Sequence, residues 1–223
     1  MSAILPSIEL TLVLAATRDM GIGLNGGLPW TGLKKEMAYF ARVTKRLPSQ
    51  LTGTKALNAV IMGRKTWDSI PPKFRPLKGR LNIVISRSVT SAVPSLSEGK
   101  LESEEGPVMA SSLEQAINYL RQQQQEQQEQ KVGKVFVIGG GQIYGAALEL
   151  PKEVSKRILL TRVLSPEFEC DTFFPLELKE QQEGSEWVRK SKAELDEFVG
   201  EEVPGAVQVE NATEYEFQMW ERR

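Results

Sequence analysis

Apolar residues along this chain gather in short, nearly continuous runs. "ELTLVLAA" (9–16), "NAVIM" (58–62), "LNIVIS" (81–86), "KVFVIG" (134–139) and "RILLTRV" (157–163) are rich in β-branched residues. Such runs mark strands buried on both faces, as in a mostly parallel sheet. Between several of them the pattern lengthens to a helical one, over Leu33–Leu47, Ser112–Gln125 and Gly141–Leu150. Ser111 or Ser112 suits an N-cap, and Pro151 a stop. Strands alternating with helices predict α/β crossovers. The C-terminal "TEYEFQMW" alternates instead, Tyr215, Phe217 and Met219 against Glu214, Glu216 and Gln218. That predicts a half-buried antiparallel strand at the sheet's end.

Three stretches break the pattern. Ser86–Gly106 is rich in Ser, Glu and Gly, Gln122–Lys131 is a Gln/Glu tract, and Gln181–Glu210 is acidic and poorly patterned. They are expected as loops or frayed helix ends. The chain then reads as a single domain over 1–223, with surface insertions near 89–106, 122–131 and 181–210.

Composition narrows the chemistry. The 223 residues carry a net charge of -1, so no basic field invites nucleic acid. There is no histidine and one cysteine, Cys170. An intrachain disulfide, a structural zinc cluster and a Ser-His-Asp or Cys-His arrangement are excluded, and no metal site is expected. Acid–base work falls to carboxylates, Lys, Tyr or water. No apolar run approaches the roughly 20 residues of a membrane span. The N-terminal apolar run lacks a preceding Lys or Arg and is interrupted by Pro6 and Glu9. It reads as a buried strand rather than a signal peptide, and a reducing, cytoplasmic setting is expected.

Four features hold candidate chemistry. On the helix from Leu33, Leu33, Met37, Phe40, Val43, Thr44 and Leu47 form one side, and Lys34, Lys35, Arg42, Lys45 and Arg46 the other. Glu36 falls about 40° from Phe40, inside the apolar stripe. Either its carboxylate reaches solvent past its neighbours, or it is buried and needs compensation. A planar ligand edge with two N–H donors would compensate, and Thr161 is a candidate protein partner. "GIGLNG" (21–26) has the form G-x-G-x-x-G, but four residues separate it from the strand and "GLPW" follows where a helix should open. A mobile loop able to close over a ligand fits better than a dinucleotide-binding turn. In "VFVIGGGQIYGAAL" a strand runs straight into Gly139–Gly140–Gly141 and a helix, either a pyrophosphate cradle or a bare tight turn. Arg64, Lys65 and Thr66 follow one strand, and Ser86, Arg87 and Ser88 the next. Two basic patches at one strand edge suit phosphate binding, with Thr66 a candidate helix cap.

Together these blocks resemble dihydrofolate reductase nearly end to end. "AATRDMGIGLNGGLPW" with "LKKEMAYF", "AVIMGRKTWDSIPPKFRPLKGRLNIVISR", "VFVIGGGQIYGAAL", and "LLTRV" with "ECDTFFP" stand in the family's order. The long insertions resemble fungal rather than bacterial members. The resemblance implies an α/β fold with a central mixed, mostly parallel eight-stranded sheet flanked by helices. It implies reduction of 7,8-dihydrofolate with NADPH by a monomer that also binds antifolate inhibitors. By matched position, Glu36 would grip the pterin's 2-amino group and N3–H, Thr161 would support it, and Trp30 would hold an ordered water. Met37 and Phe40 would pack on the pterin, the backbone carbonyls of Leu14 and Ile138 would face it, and Tyr144 would also lie on the substrate side. Ile70, Phe74 and Leu77 would line the benzoyl portion, and Arg80 would pair with the glutamate α-carboxylate. On the cofactor side, Ala15 would lie by the nicotinamide together with Ile22, Gly26, Gly27 and Leu28 of a lid over 21–28. Gly63, Arg64, Lys65 and Thr66 would hold phosphates, and Ser86, Arg87 and Ser88 the 2′-phosphate region. Gly139, Gly140, Gly141, Gln142, Ile143 and Tyr144 would cradle the pyrophosphate, with a cis peptide at Gly139–Gly140. Gly27 departs from the polar residue many members carry before "LPW", and Phe74 from the polar residue of some relatives.

Overall fold

The computed structural model describes residues 8–88, 106–125, 131–180 and 184–223. Most of the 89–106 insertion and the end of the Gln/Glu tract lie outside them. In chain order the elements are β1 (Leu10–Ala16), β2 (Gly21–Gly23), α1 (Lys34–Lys45), β3 (Leu57–Gly63), α2 (Arg64–Ser69) and β4 (Arg80–Ile85). Then come β5 (Val108–Ala110), α3 (Leu113–Gln125), β6 (Val132–Val137), α4 (Gly141–Leu148) and β7 (Ser155–Ser165). The last are β8 (Thr172–Phe173), β9 (Trp187–Arg189), α5 (Lys192–Val199), β10 (Gln208–Glu210) and β11 (Thr213–Arg222).

The sheet runs β10-β11-β7-β1-β6-β3-β4-β5, and β9 adds a ninth strand on β11. From β7 to β5 all pairings are parallel, and β11 joins β7 antiparallel. The apolar runs are continuous because both faces are covered. Leu10, Leu12 and Leu14 enter one core with Ile117 and Leu120 of α3 and Tyr144 and Ala147 of α4. Val13 enters the opposite core with Tyr39 and Val43 of α1 and Leu195 and Val199 of α5. The alternation of side chains along a strand thus sorts the helices onto two faces.

One irregularity in the pairing places the site. β1 pairs with β6 over Leu10–Leu12 only, against Val135–Val137. Its pairing with β7 continues to Ala16 against Arg162. Beyond Leu12, β1 and β6 therefore part, and a gap opens between Val13–Ala16 and the Ile138–Gly140 exit. The Tyr144 hydroxyl crosses it, donating to the Val13 carbonyl at 2.7 Å. Ligands of open α/β sheets sit at such a parting of strand ends.

Three expectations are corrected. The alternating C-terminal strand is not the sheet's end, because β10 pairs beyond it. Gln218, assigned to its polar side, is buried and accepts from the Trp220 indole N–H at 2.9 Å. The 181–210 segment is not a bare loop, since it contains β9, α5 and β10. Ser191 and Glu194 form a reciprocal capping box at the start of α5, and Gly200 ends it at φ 76°. Glu201, just past that end, pairs with Arg42 at 2.9 Å and Arg46 at 2.7 Å, fastening α5 to α1. Leu195→Ala should cost about 2–4 kcal/mol of unfolding free energy. An unfolding free energy, measured by denaturant titration, lowered by less than about 0.5 kcal/mol, the size of a surface change, would restore the loop reading.

Candidate active site

The site begins with α1. Its buried residues are Glu36, Tyr39, Val43 and Thr44, whereas Met37 is half exposed. The buried stripe is thus rotated from the predicted one: Tyr39 replaces Met37, and Phe40 is partly covered. Tyr39 packs on Phe217 with ring centroids 4.1 Å apart. This rotation carries Glu36 inward, at 7% exposure, where Oε1 accepts from the Thr161 hydroxyl at 3.1 Å. Thr161 stands on β7 opposite Ala15 of β1 and Phe217 of β11, so the carboxylate lies at the gap beside β1. Burial pushes the Glu36 carboxyl up to about 7; the Thr161 hydrogen bond opposes the rise and the charge of Glu210 adds to it. Trp30 packs with Leu33, Val163 and Tyr215. Its indole N–H is buried with no acceptor among the described residues. A buried donor of this kind calls for a bound acceptor, such as a water.

The side of the cleft expected to take substrate is apolar and open. Leu28, Met37 and Phe74 are each at least half exposed. Ile70, Leu77 and Ile138 are partly covered on the α1 face of the sheet. Arg80 is buried, donating to Thr44 Oγ1 at 2.9 Å and to the Lys78 carbonyl at 3.3 Å. No carboxylate among the described residues pairs with it, and burial lowers its pKa to about 10. A buried guanidinium without a counter-anion suits an incoming carboxylate.

Three strand exits form the other side. Gly63 pairs with Ile85 at the ends of β3 and β4, so Arg64 and Ser86 leave the sheet side by side. Gly63 N–H donates to the Gly139 carbonyl at 2.8 Å, which brings the β6 exit alongside. The Gly139–Gly140 peptide is cis and Gly139 has φ 123°. A Cβ on Gly139 or Gly140 would stand 3.3 or 3.2 Å from Thr66 Oγ1, so both positions of this exit leave little room for a side chain. Thr66 is not the cap of α2, as expected. Gly63 holds that position, and Thr66 sits in the first turn with its hydroxyl toward the glycines. Ser86 and Ser88 hydroxyls are 2.8 Å apart beside exposed Arg87. Arg64, Lys65 and Arg87 form no ion pair among the described residues. Gln142 and Ile143 lie in the first turn of α4. Tyr144, expected at both ligands, is fully buried, with its hydroxyl held by Val13 and its ring against Phe174.

The 21–28 segment is built rather than formless. Gly21 and Gly23 pair with Phe173 and Thr172 of β8. Leu24 and Gly27 exchange two hydrogen bonds at 3.0 Å around Asn25 (φ 51°) and Gly26 (φ 77°). Two central residues at positive φ make this a hairpin turn, for which Asn-Gly is the preferred pair. That signal stood inside "GIGLNG" and was overlooked. Asp171 secures the turn, its carboxylate accepting from the Asn25 N–H at 2.7 Å. Ile22 is partly buried, and Gly26, Gly27 and Leu28 are exposed. Sequence reasoning also missed Glu210 as a neighbour of Glu36.

A covered parallel sheet, a buried carboxylate where two strands part, and a cationic glycine-rich edge beside it define an α/β protein whose strand ends suit an anionic ligand. The family model described as Dihydrofolate reductase matches residues 9–203. The dihydrofolate reductase of Pneumocystis carinii is 39% identical over 214 residues, covering 96% of this chain and 97% of that protein. That of Cryptococcus neoformans is 39% identical over 233 residues, covering 95% and 94%. The solved structure of Schistosoma mansoni dihydrofolate reductase superposes with a TM-score of 0.69 at 31% identity, covering 98% of this chain and 100% of that one. The chain belongs to the dihydrofolate reductase family.

The state of Glu36 has a consequence for stability. Its carboxyl ionises near 4.5 when solvated and near 7 when folded. Folding therefore takes up a proton between those values, and the penalty of the buried charge is absent below the window and full above it. Glu36→Gln removes that penalty. The variant should gain up to about 3 kcal/mol over the parent above pH ~7, shrinking to nothing toward pH ~4.5. Thermal unfolding across this range measures it, and a difference independent of pH would contradict a buried, titrating Glu36.

Proposed function

We propose that the chain reduces 7,8-dihydrofolate to 5,6,7,8-tetrahydrofolate with NADPH. The observation that carries this is the Glu36–Thr161 pair at the β1–β6 gap, buried on one side and flanked on the other by a cationic glycine edge. The glycine exits, the Ser86–Ser88 hydroxyl pair and the exposed cations Arg64, Lys65 and Arg87 fit a dinucleotide with an added phosphate. NADPH, when bound, supplies the hydride to C6 of the pterin.

The chain's own residues do the rest. Glu36 accepts the pterin's 2-amino and N3–H donors in a charge-assisted fork, steadied by the Thr161 hydroxyl. Met37 and Phe40 pack on the ring, the backbone carbonyls of Leu14 and Ile138 face it, and Ile70, Phe74 and Leu77 line the benzoyl group. Arg80 takes the glutamate α-carboxylate. Gly139 to Ile143 and Thr66 receive pyrophosphate, while Arg87 with Ser86 and Ser88 receives the 2′-phosphate. Ala15, Ile22 and the turn ending at Leu28 close on the nicotinamide side and exclude water. The N5 proton comes from solvent, ordered at the Trp30 indole, with Glu36 polarising the ring. Tyr144 supports from below, tying α4 to β1. The chain acts as one domain, a monomer in the cytoplasm, and its substrate cleft also accepts antifolate inhibitors.

Loss of reduced-nicotinamide absorbance with dihydrofolate, against NADH and against no substrate, tests the activity. Turnover should need both dihydrofolate and NADPH, and its absence would refute the reading. Glu36→Gln should fold and lose roughly 10²-fold or more in kcat near neutral pH. Near-normal turnover by that variant would remove Glu36 from the chemistry. Arg87→Ala should weaken NADPH by about 1–3 kcal/mol and spare NADH. Equal weakening of both cofactors would put the 2′-phosphate elsewhere.

A further inference from the structure

The helix that carries Glu36 has no cap of its own. The residue at its N-cap position is Leu33, whose side chain accepts nothing. Yet an uncapped first turn leaves backbone N–H groups unsatisfied. They are met from the other end of the chain. Glu210 Oε1 accepts from Lys34 N–H at 2.7 Å, and both of its carboxylate oxygens lie 3.0 Å from Lys35 N. The partners are 176 and 175 residues apart in sequence. The neighbouring residue repeats the contact: Asn211 Nδ2 donates to the Gly32 carbonyl at 2.7 Å. Glu210 and Asn211 belong to the β10–β11 turn, where Asn211 and Ala212 both take positive φ (48° and 59°). The Tyr215 hydroxyl donates back to Glu210 Oε2 at 3.3 Å. A Cβ on Gly32 would stand 2.2 Å from Asn211 Nδ2, so the turn is seated tightly against the helix entry.

Glu36 follows immediately after the two capped amides. We propose that Glu210 is a positioning residue for the site: it seats the amino end of α1, thereby holding Glu36 against Thr161, and couples its own charge to that of Glu36. This rests on the assignment of Glu36 as the pterin-binding carboxylate. The two effects of the charge oppose each other. A carboxylate at a helix N-terminus is stabilising, because it meets free N–H groups and the positive end of the dipole. The same charge next to a buried carboxylate disfavours ionisation of the second. The groups coupled to Glu36 from the surrounding elements are Glu210 of β10, Tyr39 of its own helix and Tyr215 of β11, whose ordinary pKa values for the two tyrosines are raised in part by Glu36. From β7 the facing group is the Thr161 hydroxyl. Lys34 and Lys35 are exposed. Glu210 is the one other carboxylate in this set, and its charge adds to the larger effect of burial on Glu36.

The test separates the charge from the cap. The protein without ligands, carrying ¹³C-carboxyl glutamate, is titrated by NMR, with Glu36→Gln identifying the Glu36 resonance. Glu210→Gln retains an acceptor oxygen but not the charge, and the Glu36 midpoint should move to lower pH. Glu210→Ala should lower the Tm further than Glu210→Gln and raise KM for dihydrofolate. Glu210→Asp, which restores a carboxylate, should return the Glu36 midpoint toward the parent value. A Glu36 midpoint unchanged in Glu210→Gln, even with lowered Tm, would make Glu210 a structural cap alone and overturn the proposal. The titration uses no substrate. Failure of the parent to turn over dihydrofolate would therefore refute the reductase reading without deciding the Glu210 coupling.

Discussion

The site depends on one break in hydrogen bonding. β1 stays with β7 to its end but leaves β6 after Leu12. Without that parting, the sheet would be closed at its centre and a ligand would have nowhere to lie. The parting is held open from both faces. Tyr144 rises from α4 to the Val13 carbonyl. On the other face α1 lies across β3, and its rotation points Glu36 into the gap rather than toward solvent. A buried carboxylate is costly unless compensated, and one hydroxyl from Thr161 compensates only in part. The residual cost is what lifts its pKa to about 7. It is also what makes the site receptive to a planar edge of N–H donors.

Around this centre the chain separates its two electrostatic tasks. Cations at the β3 and β4 exits are exposed and form no ion pair among the described residues, an arrangement that suits phosphates. Arg80 is instead buried against Thr44 of α1, where a single carboxylate could satisfy it. The same helix thus presents Glu36 from its first turn and supports Arg80 from its last. Its placement is fixed by Glu201, just past α5, at one end and Glu210 from β10 at the other. Both come from the region that looked like an acidic insertion.

What was legible in the sequence was local. Continuous β-branched runs announced buried parallel strands, and a strand passing directly into Gly139–Gly140–Gly141 announced the tight exit. Glu36 was visible as an anomaly of helical period, but period alone left its burial undecided; its proposed role comes from the ordered family blocks. The buried stripe was misplaced by one neighbour, because Met37 and Tyr39 are both large and the choice between them is made by Phe217 on a distant strand. α5 was missed because only Leu195 and Val199 of its eight residues are buried, too sparse a signal among acidic neighbours. Glu210 could not be read at all: its contact spans 176 residues. The turn at Asn25–Gly26 was readable and was passed over because the surrounding glycines suggested a loop.

The central claim is that Glu36, shared between its protonated and ionised forms in the free protein, receives the pterin as a carboxylate. Calorimetric titration with dihydrofolate near neutral pH, in buffers of different ionisation enthalpy, measures the protons exchanged on binding. A net release of protons that disappears in Glu36→Gln is the predicted result. Binding with no release, or with the same release in Glu36→Gln, would contradict it.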